Sequence, residues 1–446
     1  MKNTNLKPNK TKLVARLMLA VIWVMSNMVE LLSPAGNFEK MKSALNYGAD
    51  AVYLAGNVFG MRSAADNFTN DELYEAVEYA HNLGKKVYLT VNTMPHEHEY
   101  SVLREYLTAI KDCKIDAMIV ADLGVMATIQ EILPEMEIHV STQASIVSVA
   151  AAKAYIALGA KRLVLARELT LGEIKKIRAG IPEEIELEAF VHGSMCVSYS
   201  GRCMLSHHIT GRDANRGACA QPCRWNFNLV EEKRPDMPLP IEQNEHGTFI
   251  MSSKDMCTID HIPELIEAGI KSFKIEGRMK SAYYTAVVSN AYRMAIDSYY
   301  ADKENYKFNP LWMRELESVS HREYCTGFYF DYPIENAQLA SNTGYIREKA
   351  YFAIACEMNE QEQSVQNALN ENATDGKYYL FMQKNKCKIG DGAEIISPSQ
   401  VGKALEIIDL RDEKGNEIES APHPFMHFFV KVPFEVKVGD ILRAGE

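Results

Sequence analysis

From residue 30 to residue 279, short apolar runs alternate with longer amphipathic segments along the chain. Each run ends in a polar or glycine-rich stretch, and apolar residues then recur at helical spacing, as in DELYEAVEYAHNLG. The runs are nearly continuous and mostly β-branched, which is typical of strands buried on both faces of a parallel sheet. Eight strands are predicted, beginning at Glu30, Ala51, Lys86, Ala117, Glu137, Arg162, Glu186 and Ser272.

Three helix-to-strand junctions repeat one pattern, in ALNYGADAVYLAG, YIALGAKRLVLARE and LIEAGIKSFKIEGR. In each of them a glycine follows the predicted helix, at the position where a left-handed backbone ends it. Such a unit recurring about eight times predicts an α/β fold with a TIM-like (β/α) barrel. An open, doubly wound sheet would use the same units, and TFIMSSKDM near Ile250 is a ninth strand candidate.

Beyond residue 345 the pattern changes to short alternating segments such as KYYLFMQ, GAEIISP, KALEIIDL and HFFVKVPF. Gly, Asp, Asn and Pro separate them, which indicates a small antiparallel β-barrel. We therefore expect a non-globular N-terminal extension at 1–28, a (β/α) barrel with a cysteine cluster at 29–335 and a C-terminal β-barrel domain at 345–446. The linker is expected near Asn336–Thr343.

The first 27 residues differ from the rest of the chain. Lysines precede an apolar stretch at Leu13–Met25 that Arg16 interrupts, and the unbroken part, LMLAVIWVM, is too short to span a bilayer. No small-residue cleavage site follows it, as a signal peptide would need. Met28 stands directly before the globular pattern, so we interpret the segment as a start-codon artefact or a non-native extension.

Composition places the chain among soluble globular proteins. Of its 446 residues 47% are hydrophobic and 24% are charged, and its nine cysteines are odd in number and unevenly spaced. That is a poor disulfide framework, so we expect a cytoplasmic protein. The net charge of −11 argues against broad binding to nucleic acid or to an anionic membrane, and no stable membrane association is expected.

Four cysteines lie within twenty-eight residues directly after the seventh predicted strand, at Cys196, Cys203, Cys219 and Cys223. Their spacing, Cys-x6-Cys, x15, Cys-x3-Cys, differs from the paired CxxC of a zinc ribbon. An iron–sulfur cluster, a structural zinc ion and unliganded thiols all remain open. Because sites in (β/α) barrels lie in the loops after the strands, this window is expected at the catalytic face.

The residues around these cysteines resemble a known family. EAFVHGSMCVSYSGRCMLS is similar to the signature of the peptidase U32 family, also called collagenase-like proteases. ELLSPAGNFEKMKSALNYGADAVYLAG resembles the opening of that family, and SFKIEGRMKS resembles a later block. The resemblance extends from about Met28 to Tyr300, and the C-terminal region resembles the small domain often attached.

The resemblance implies two different activities. The family is named for collagen degradation, while better-understood relatives bind a four-iron–four-sulfur (4Fe-4S) cluster and act in oxygen-independent hydroxylation. The most similar branch hydroxylates the wobble uridine of tRNA, with prephenate as the oxygen source. In that branch Cys196, Cys203 and Cys219 would be cluster ligands, and the fourth would be Cys223, which we favour, or Cys257.

Arginines at the predicted strand ends are candidates for binding such an acid. Planar guanidinium groups hold carboxylates best, and Arg62, Arg167 and Arg278 are placed for this task. The alternative is an ion pair at the barrel rim with Glu168 or Glu276. We name Arg62, Arg167, Glu276 and Arg278 as the candidate catalytic residues.

Evidence for RNA binding is limited to one window. Tyr199, Trp225 and Phe227 could stack on a loop base, although buried aromatics are more common. Several arginines near the cysteines either bind phosphate or lie in a solvated loop, namely Arg202, Arg212, Arg216 and Arg224.

Three functions follow: a tRNA hydroxylase, a U32-type peptidase, and a cluster-bearing, non-catalytic partner of a paralogous U32 subunit. The sequence has neither the HExxH helix of a zinc protease nor a G-x-S-x-G nucleophile elbow. His192, His207 and His208 adjoin the cysteines, and we interpret them as hydrogen-bonded loop residues rather than ligands.

Overall fold

A computed structural model describes residues 28–61, 66–196, 203–225, 242–244, 247–249, 253–330, 346, 349–371 and 373–445 of the chain. The N-terminal extension and the linker that the sequence predicts lie outside these residues, except for Met28. In the described part, no helix combines the length and the apolar character needed to cross a membrane.

The first domain is a closed barrel of eight parallel strands, as the sequence predicts. Its strands and helices alternate in the order β1 Glu30–Pro34, α1 Phe38–Asn46, β2 Ala51–Leu54, α2 Asn70–Asn82, β3 Lys86–Val91, α3 Tyr100–Ala109, β4 Ala117–Val120, α4 Leu123–Ile132, β5 Glu137–Val140, α5 Val149–Ala157, β6 Arg162–Val164, α6 Leu171–Gly180 and β7 Glu186–Ser194. A connection with α7 Leu205–Thr210, β8 Glu242–Asn244, β9 Gly247–Phe249, β10 Asp255–Cys257 and α8 Ile262–Glu267 leads to β11 Ser272–Ile275 and the long helix α9 Ala282–Ala301.

Strand β11 closes the barrel. Ser272 pairs with Glu30 on β1 and with Glu188 on β7, in parallel on both sides. An open sheet would leave two edges, so the doubly wound alternative is excluded.

The ninth strand candidate is not part of the closed barrel. It divides into β9 and β10, and β10 pairs antiparallel with the end of β7, where Cys257 lies opposite His192. After α9, the chain forms α10 Pro310–Glu317 and then β12 Tyr324–Cys325, which adds to the outer edge of β10.

Strand β7 contains a bulge in its pairing with β11. Phe190 pairs with Lys274 and His192 with Ile275, so Val191 is an extra residue in the ladder. The His192 ring packs against Tyr284 and Tyr292 of α9, outside the barrel wall. The bulge thus turns His192 away from the lumen, as an inserted residue does in a ladder.

Charged side chains fill part of the barrel lumen, although the sequences of the strands that carry them are largely apolar. The buried Glu188 carboxylate accepts from Lys274 Nζ at 2.6 Å and from Arg162 Nη1 at 3.1 Å. Arg162 also binds Glu30 at 2.6 Å, and Glu30 accepts from the Tyr88 hydroxyl. Because opposite charges compensate one another, the lumen can hold ionised groups away from water.

The three glycines that end helices take the predicted left-handed conformation. Their φ angles are 104° at Gly48, 100° at Gly159 and 88° at Gly269. At the other ends, polar side chains cap the helices, as Thr69 does by accepting from the Glu72 backbone N–H. Local sequence therefore sets the limits of the barrel helices.

The C-terminal region forms an antiparallel seven-stranded sheet. Its elements are β13 Tyr351–Ala355, α11 Glu360–Glu371, β14 Lys377–Gln383, β15 Cys387–Lys388, β16 Gly392–Ile396, β17 Lys403–Glu406, β18 Leu410–Asp412, β19 Ser420–Ala421, β20 His427–Val432 and β21 Ile441–Ala444. The large sheet has the order β17-β16-β21-β13-β14-β20-β18, and β15 pairs separately with β19. The four quoted segments are strands, with KALEIIDL divided into two, whereas helix α11 was not predicted.

A buried ionic cluster joins the two domains. Arg443 on β21 donates from Nε to Glu394 at 2.8 Å. Across the interface it donates from Nη2 to Glu315 at 2.8 Å and from Nη1 to the Ser318 hydroxyl at 2.7 Å. The Tyr47 hydroxyl adds a second contact, donating to the Ile396 carbonyl at 2.9 Å. These bonds fix the C-terminal sheet against the side of the barrel.

Candidate functional site

The loops after the parallel strands meet at one end of the barrel, which we call the mouth. Arg167 follows β6, Cys196 follows β7, and Glu276 and Arg278 follow β11, so the structure brings these sequence candidates to one rim. Arg62 lies outside the described residues, and its role stays a prediction.

Arg167 is a buried cation at the mouth, with 9% of its surface exposed. Its Nη1 donates to the Ser194 carbonyl at 2.9 Å, and its guanidinium packs over the Phe190 ring. Burial alone would lower the pKa of this guanidinium, but hydrogen bonding and attraction to Cys196, with the charge of Glu276, raise it above its ordinary value. Arg167 therefore stays charged beside the first cysteine of the cluster.

Arg278 is a second buried cation, with 3% of its surface exposed. Its Nη2 donates to Asn67 Oδ1 at 2.9 Å and its Nη1 to Thr90 Oγ1 at 3.3 Å. Both of these acceptors are neutral. A buried guanidinium adds positive charge to the mouth, and positive charge favours an anion there.

Glu276 is held by two tyrosines beside these arginines. Its carboxylate accepts from the Tyr53 hydroxyl at 3.4 Å, and its carbonyl accepts from the Tyr284 hydroxyl at 3.0 Å. Two motif glycines allow the loop after β11 to pack this closely. A Cβ on Gly193, where φ is 106°, would lie 2.3 Å from the Glu276 carbonyl oxygen, and one on Gly36 would lie 2.4 Å from that of Arg278.

Two amide side chains complete the mouth, and sequence reasoning missed them. Asn92 after β3 donates from Nδ2 to Gln143 Oε1 after β5, at 2.8 Å. No motif marks either residue, and the available signal was only their place at the ends of predicted strands. Asn92 and Gln143 extend the polar surface of the mouth from Arg278 toward Arg167.

The described part of the cysteine segment, residues 203–225, folds as a compact loop. The Ser206 hydroxyl at the start of α7 accepts from the Ala220 backbone N–H at 3.0 Å. Cys219 Sγ accepts from the Gln221 N–H at 3.3 Å. Arg216 of this loop pairs with Glu99, beyond β3, at 2.6 Å. The described loop thus reaches the β3 side of the barrel.

None of the nine cysteines forms a disulfide. Cys196 is exposed, while Cys203, Cys219 and Cys223 are partly buried. Within the described residues, no three His, Cys, Asp or Glu side chains are grouped closely enough to hold one metal ion. The donor chemistry nevertheless fits a thiolate-bound cluster, because an N–H group points at Cys219 Sγ and a buried cation contacts Cys196.

Cys257 differs from the other candidate ligands. It lies opposite His192 within β7, whereas Cys196 lies beyond the end of that strand. Its thiol is buried 3.9 Å from the Tyr292 hydroxyl, and burial raises its pKa to about 12. Cys223 and Cys257 therefore offer two different environments for a fourth ligand.

His192 is not the hydrogen-bonded loop residue that the sequence suggested. It belongs to β7, is 1% exposed, and neither ring nitrogen has a hydrogen-bond partner among the described residues. Burial, with the nearby Lys280 charge, lowers its pKa to about 3. His192 is therefore neutral at physiological pH and lies away from the mouth, whereas His207 and His208 are exposed on α7.

The arrangement combines two buried guanidinium groups, a carboxylate and a cysteine loop at one opening. Buried, preorganised cations of this kind bind small carboxylates and stabilise negative charge. The mouth is thus suited to a small anionic molecule held beside the cysteine loop.

Comparison with known proteins agrees with this architecture. The chain matches Peptidase family U32 over residues 36–339 and the Peptidase family U32 C-terminal domain over residues 363–443. It is 37% identical to tRNA hydroxylation protein P1 of Bacillus subtilis, covering 95% of this chain and 96% of that protein. It is 33% identical to tRNA hydroxylation protein P of Escherichia coli, covering 92% and 95%. It is 44% identical to an uncharacterized protease of Methanocaldococcus jannaschii, covering 68% and 73%. The chain belongs to peptidase family U32.

Proposed function

We propose that this protein hydroxylates RNA, and that its product is 5-hydroxyuridine at the wobble position of tRNA. Two relatives aligned over more than nine-tenths of the chain carry the name tRNA hydroxylation protein. The observation that carries the proposal is the pair of buried arginines, Arg167 and Arg278, beside the cysteine loop.

We further propose that the mouth binds prephenate and that the reaction needs no molecular oxygen. In formal balance, uridine C5–H becomes C5–OH while the hydroxyl-bearing carbon of the acid receives the hydrogen, so the acid is reduced by the two electrons that uridine loses. Arg167 and Arg278 would each hold a carboxylate, because a guanidinium donates two parallel hydrogen bonds to such a group. Burial of both side chains strengthens these charge interactions.

The cysteine loop would hold a 4Fe-4S cluster. Cys196, Cys203 and Cys219 are three proposed ligands, and Cys223 or Cys257 is the fourth. A bound cluster would supply one-electron chemistry next to the acid. Arg167 contacts Cys196, so this chain would use the cation both to stabilise the thiolate and to orient the acid.

The cysteine loop also offers a surface for RNA. Trp225 is 42% exposed, and Arg212 is exposed on the same loop. Exposed aromatic rings bind single-stranded bases by stacking, and exposed cations bind their phosphates. Such a local site is compatible with the net charge of −11, because a flipped loop base needs only a few contacts.

The test is anaerobic reconstitution with purified protein, prephenate and tRNA from a strain lacking the gene, followed by nucleoside analysis. We expect 5-hydroxyuridine to form and to depend on prephenate. Modification that appears only after a paralogous U32 subunit is added would make this chain the partner subunit. Gelatin cleavage that persists after all four loop cysteines are replaced, without tRNA modification, would favour the peptidase.

A further inference from the structure

The amide pair at the mouth has a fixed orientation. Asn92 Oδ1 accepts from the Met61 backbone N–H at 3.1 Å, so the Asn92 NH2 group must face Gln143. Gln143 Oε1 accepts from that group at 2.8 Å and from the Ser141 hydroxyl at 3.4 Å. The Gln143 NH2 group is therefore turned away from Asn92, and neither amide can flip without losing bonds.

This NH2 group is an unsatisfied donor. Gln143 is 8% exposed, and its Nε2 has no hydrogen-bond partner among the described residues. A buried donor without an acceptor has lost its hydrogen bonds to water without replacement, which destabilises the fold. Such groups are rare in folded proteins and need a specific explanation. An oxygen atom of a bound molecule would satisfy the donor.

The donor belongs to the same opening as the arginines. Arg278, on the loop after β11, contacts Thr90 on β3, although β1 and β2 lie between β11 and β3 in the wall. Thr90 therefore faces the lumen. Asn92 is two residues further along and shares this face. On the other side, the Thr142 hydroxyl binds the Leu165 carbonyl at 2.9 Å, next to the segment that carries Arg167.

We propose that Gln143 Nε2 donates to an uncharged oxygen, a keto or hydroxyl oxygen, of a small acid whose carboxylates bind Arg167 and Arg278. Gln143 would then distinguish oxo or hydroxy acids from acids that lack this oxygen. Asn92 acts as a positioning residue, because it fixes which end of the Gln143 amide faces the acid. The assignment rests on the proposed function, since it presumes that the mouth binds such an acid.

The experiment measures prephenate binding to anaerobically purified protein by calorimetry. Q143E keeps the size of the side chain but replaces the donor with a carboxylate, and we expect a Kd roughly 10- to 100-fold higher. N92D keeps the acceptor for Met61 but removes the NH2 group, which lets Gln143 turn its own NH2 toward residue 92. We expect a similar loss of binding in N92D. Q363E, an exposed change on α11, is the matched control and should bind as the wild type does.

A second readout separates recognition from folding. The wild type should bind prephenate more tightly than analogues without the keto or the hydroxyl oxygen, and Q143M should lose that preference for one of the two while keeping its melting temperature. Unchanged prephenate affinity in Q143E, with affinity reduced in R278A, would overturn the role of Gln143 alone. Absence of prephenate binding to the wild type would overturn the proposed co-substrate and this assignment with it.

Discussion

Arg278 and Thr90, 188 positions apart in the chain, are joined across the barrel lumen by a 3.3 Å hydrogen bond from Nη1 to Oγ1. The bond ties the loop after the last barrel strand to the third strand. It leaves the charge of Arg278 opposite a neutral acceptor, so the guanidinium is positioned without being neutralised by Thr90.

Replacing Arg278 with alanine should abolish most of the modification. Loss of a buried, charge-assisted contact to a carboxylate costs about 2–4 kcal/mol, which corresponds to roughly a 30- to 1,000-fold lower kcat/KM. R278K should recover only part of this, since lysine cannot form the bidentate pair. Nucleoside analysis of treated tRNA measures the effect.

The control is R104A, because Arg104 forms an exposed ion pair with Glu131 on the outer helices. It should leave the modification rate unchanged, as exposed pairs contribute little. The iron content of R278A should equal that of the wild type, and equal rates for R278A and wild type would remove Arg278 from the site.

The proposed role of the loop cysteines as cluster ligands can be tested by visible absorption and iron content. C203S and C219S should each lose the visible band and most of the iron of anaerobically purified protein, because each removes a thiolate ligand. C356S is the control, since Cys356 is partly buried in the C-terminal domain.

The fourth ligand follows from comparing C223S with C257S. One of the two should lose the band and the other should keep it. If both variants retain the full iron content, the proposal of four cysteine ligands is wrong.

A substitution at Trp225 tests whether the cysteine loop binds RNA. W225A should weaken tRNA binding by about 1–3 kcal/mol, the usual contribution of one stacked base, and leave iron content unchanged. Y74A is matched to it, because Tyr74 is 39% exposed on α2, away from the cysteine loop. Equal tRNA affinity of W225A and Y74A in a filter-binding assay would exclude stacking on Trp225.

The lumen charges predict a pH dependence of stability. Burial would raise the pKa of Glu30, but Arg162 and Tyr88 lower it from 4.5 to about 2. The carboxylate thus stabilises the fold fully above pH 4.5, and the contribution, at most roughly 3 kcal/mol, disappears as the pH falls toward 2.

E30Q should accordingly be less stable than the wild type at pH 7, and the difference should shrink between pH 4.5 and pH 2. Denaturant titrations at several pH values measure the free energy of unfolding. E131Q, at an exposed position, should follow the wild type throughout, and a constant difference for E30Q would contradict the assigned pKa.

Local patterns were sufficient to predict the barrel. All eight strands begin where the apolar runs begin, since strands in a parallel barrel are apolar on their outer face whatever the lumen contains. The helix α11 was missed because its described buried residues include Glu362 and Gln366, so the chain shows no apolar stripe there. The buried face of α11 is polar because it hydrogen-bonds the neighbouring strand: Gln366 donates to the Tyr378 carbonyl on β14.

The placement of two residues at the mouth could also be predicted from the order of the strands. Arg167 and Arg278 could be placed at the mouth because strand ends meet at one rim. Gln143, the Val191 bulge and the outward turn of His192 could not, because each depends on which residue of a distant strand lies opposite. Pairing of this kind is set by tertiary contacts rather than by local sequence.

The Arg443 cluster limits how this protein can be rebuilt. Its acceptors Glu315 and Ser318 belong to one domain and Glu394 to the other. A chimaera that takes its C-terminal domain from a relative must bring a cation that pairs with Glu315, or it leaves that buried carboxylate without its partner. The two domains can therefore be exchanged between relatives only if this pairing is kept. Strand β21, which carries Arg443, and helix α10, which carries Glu315, should be transferred together.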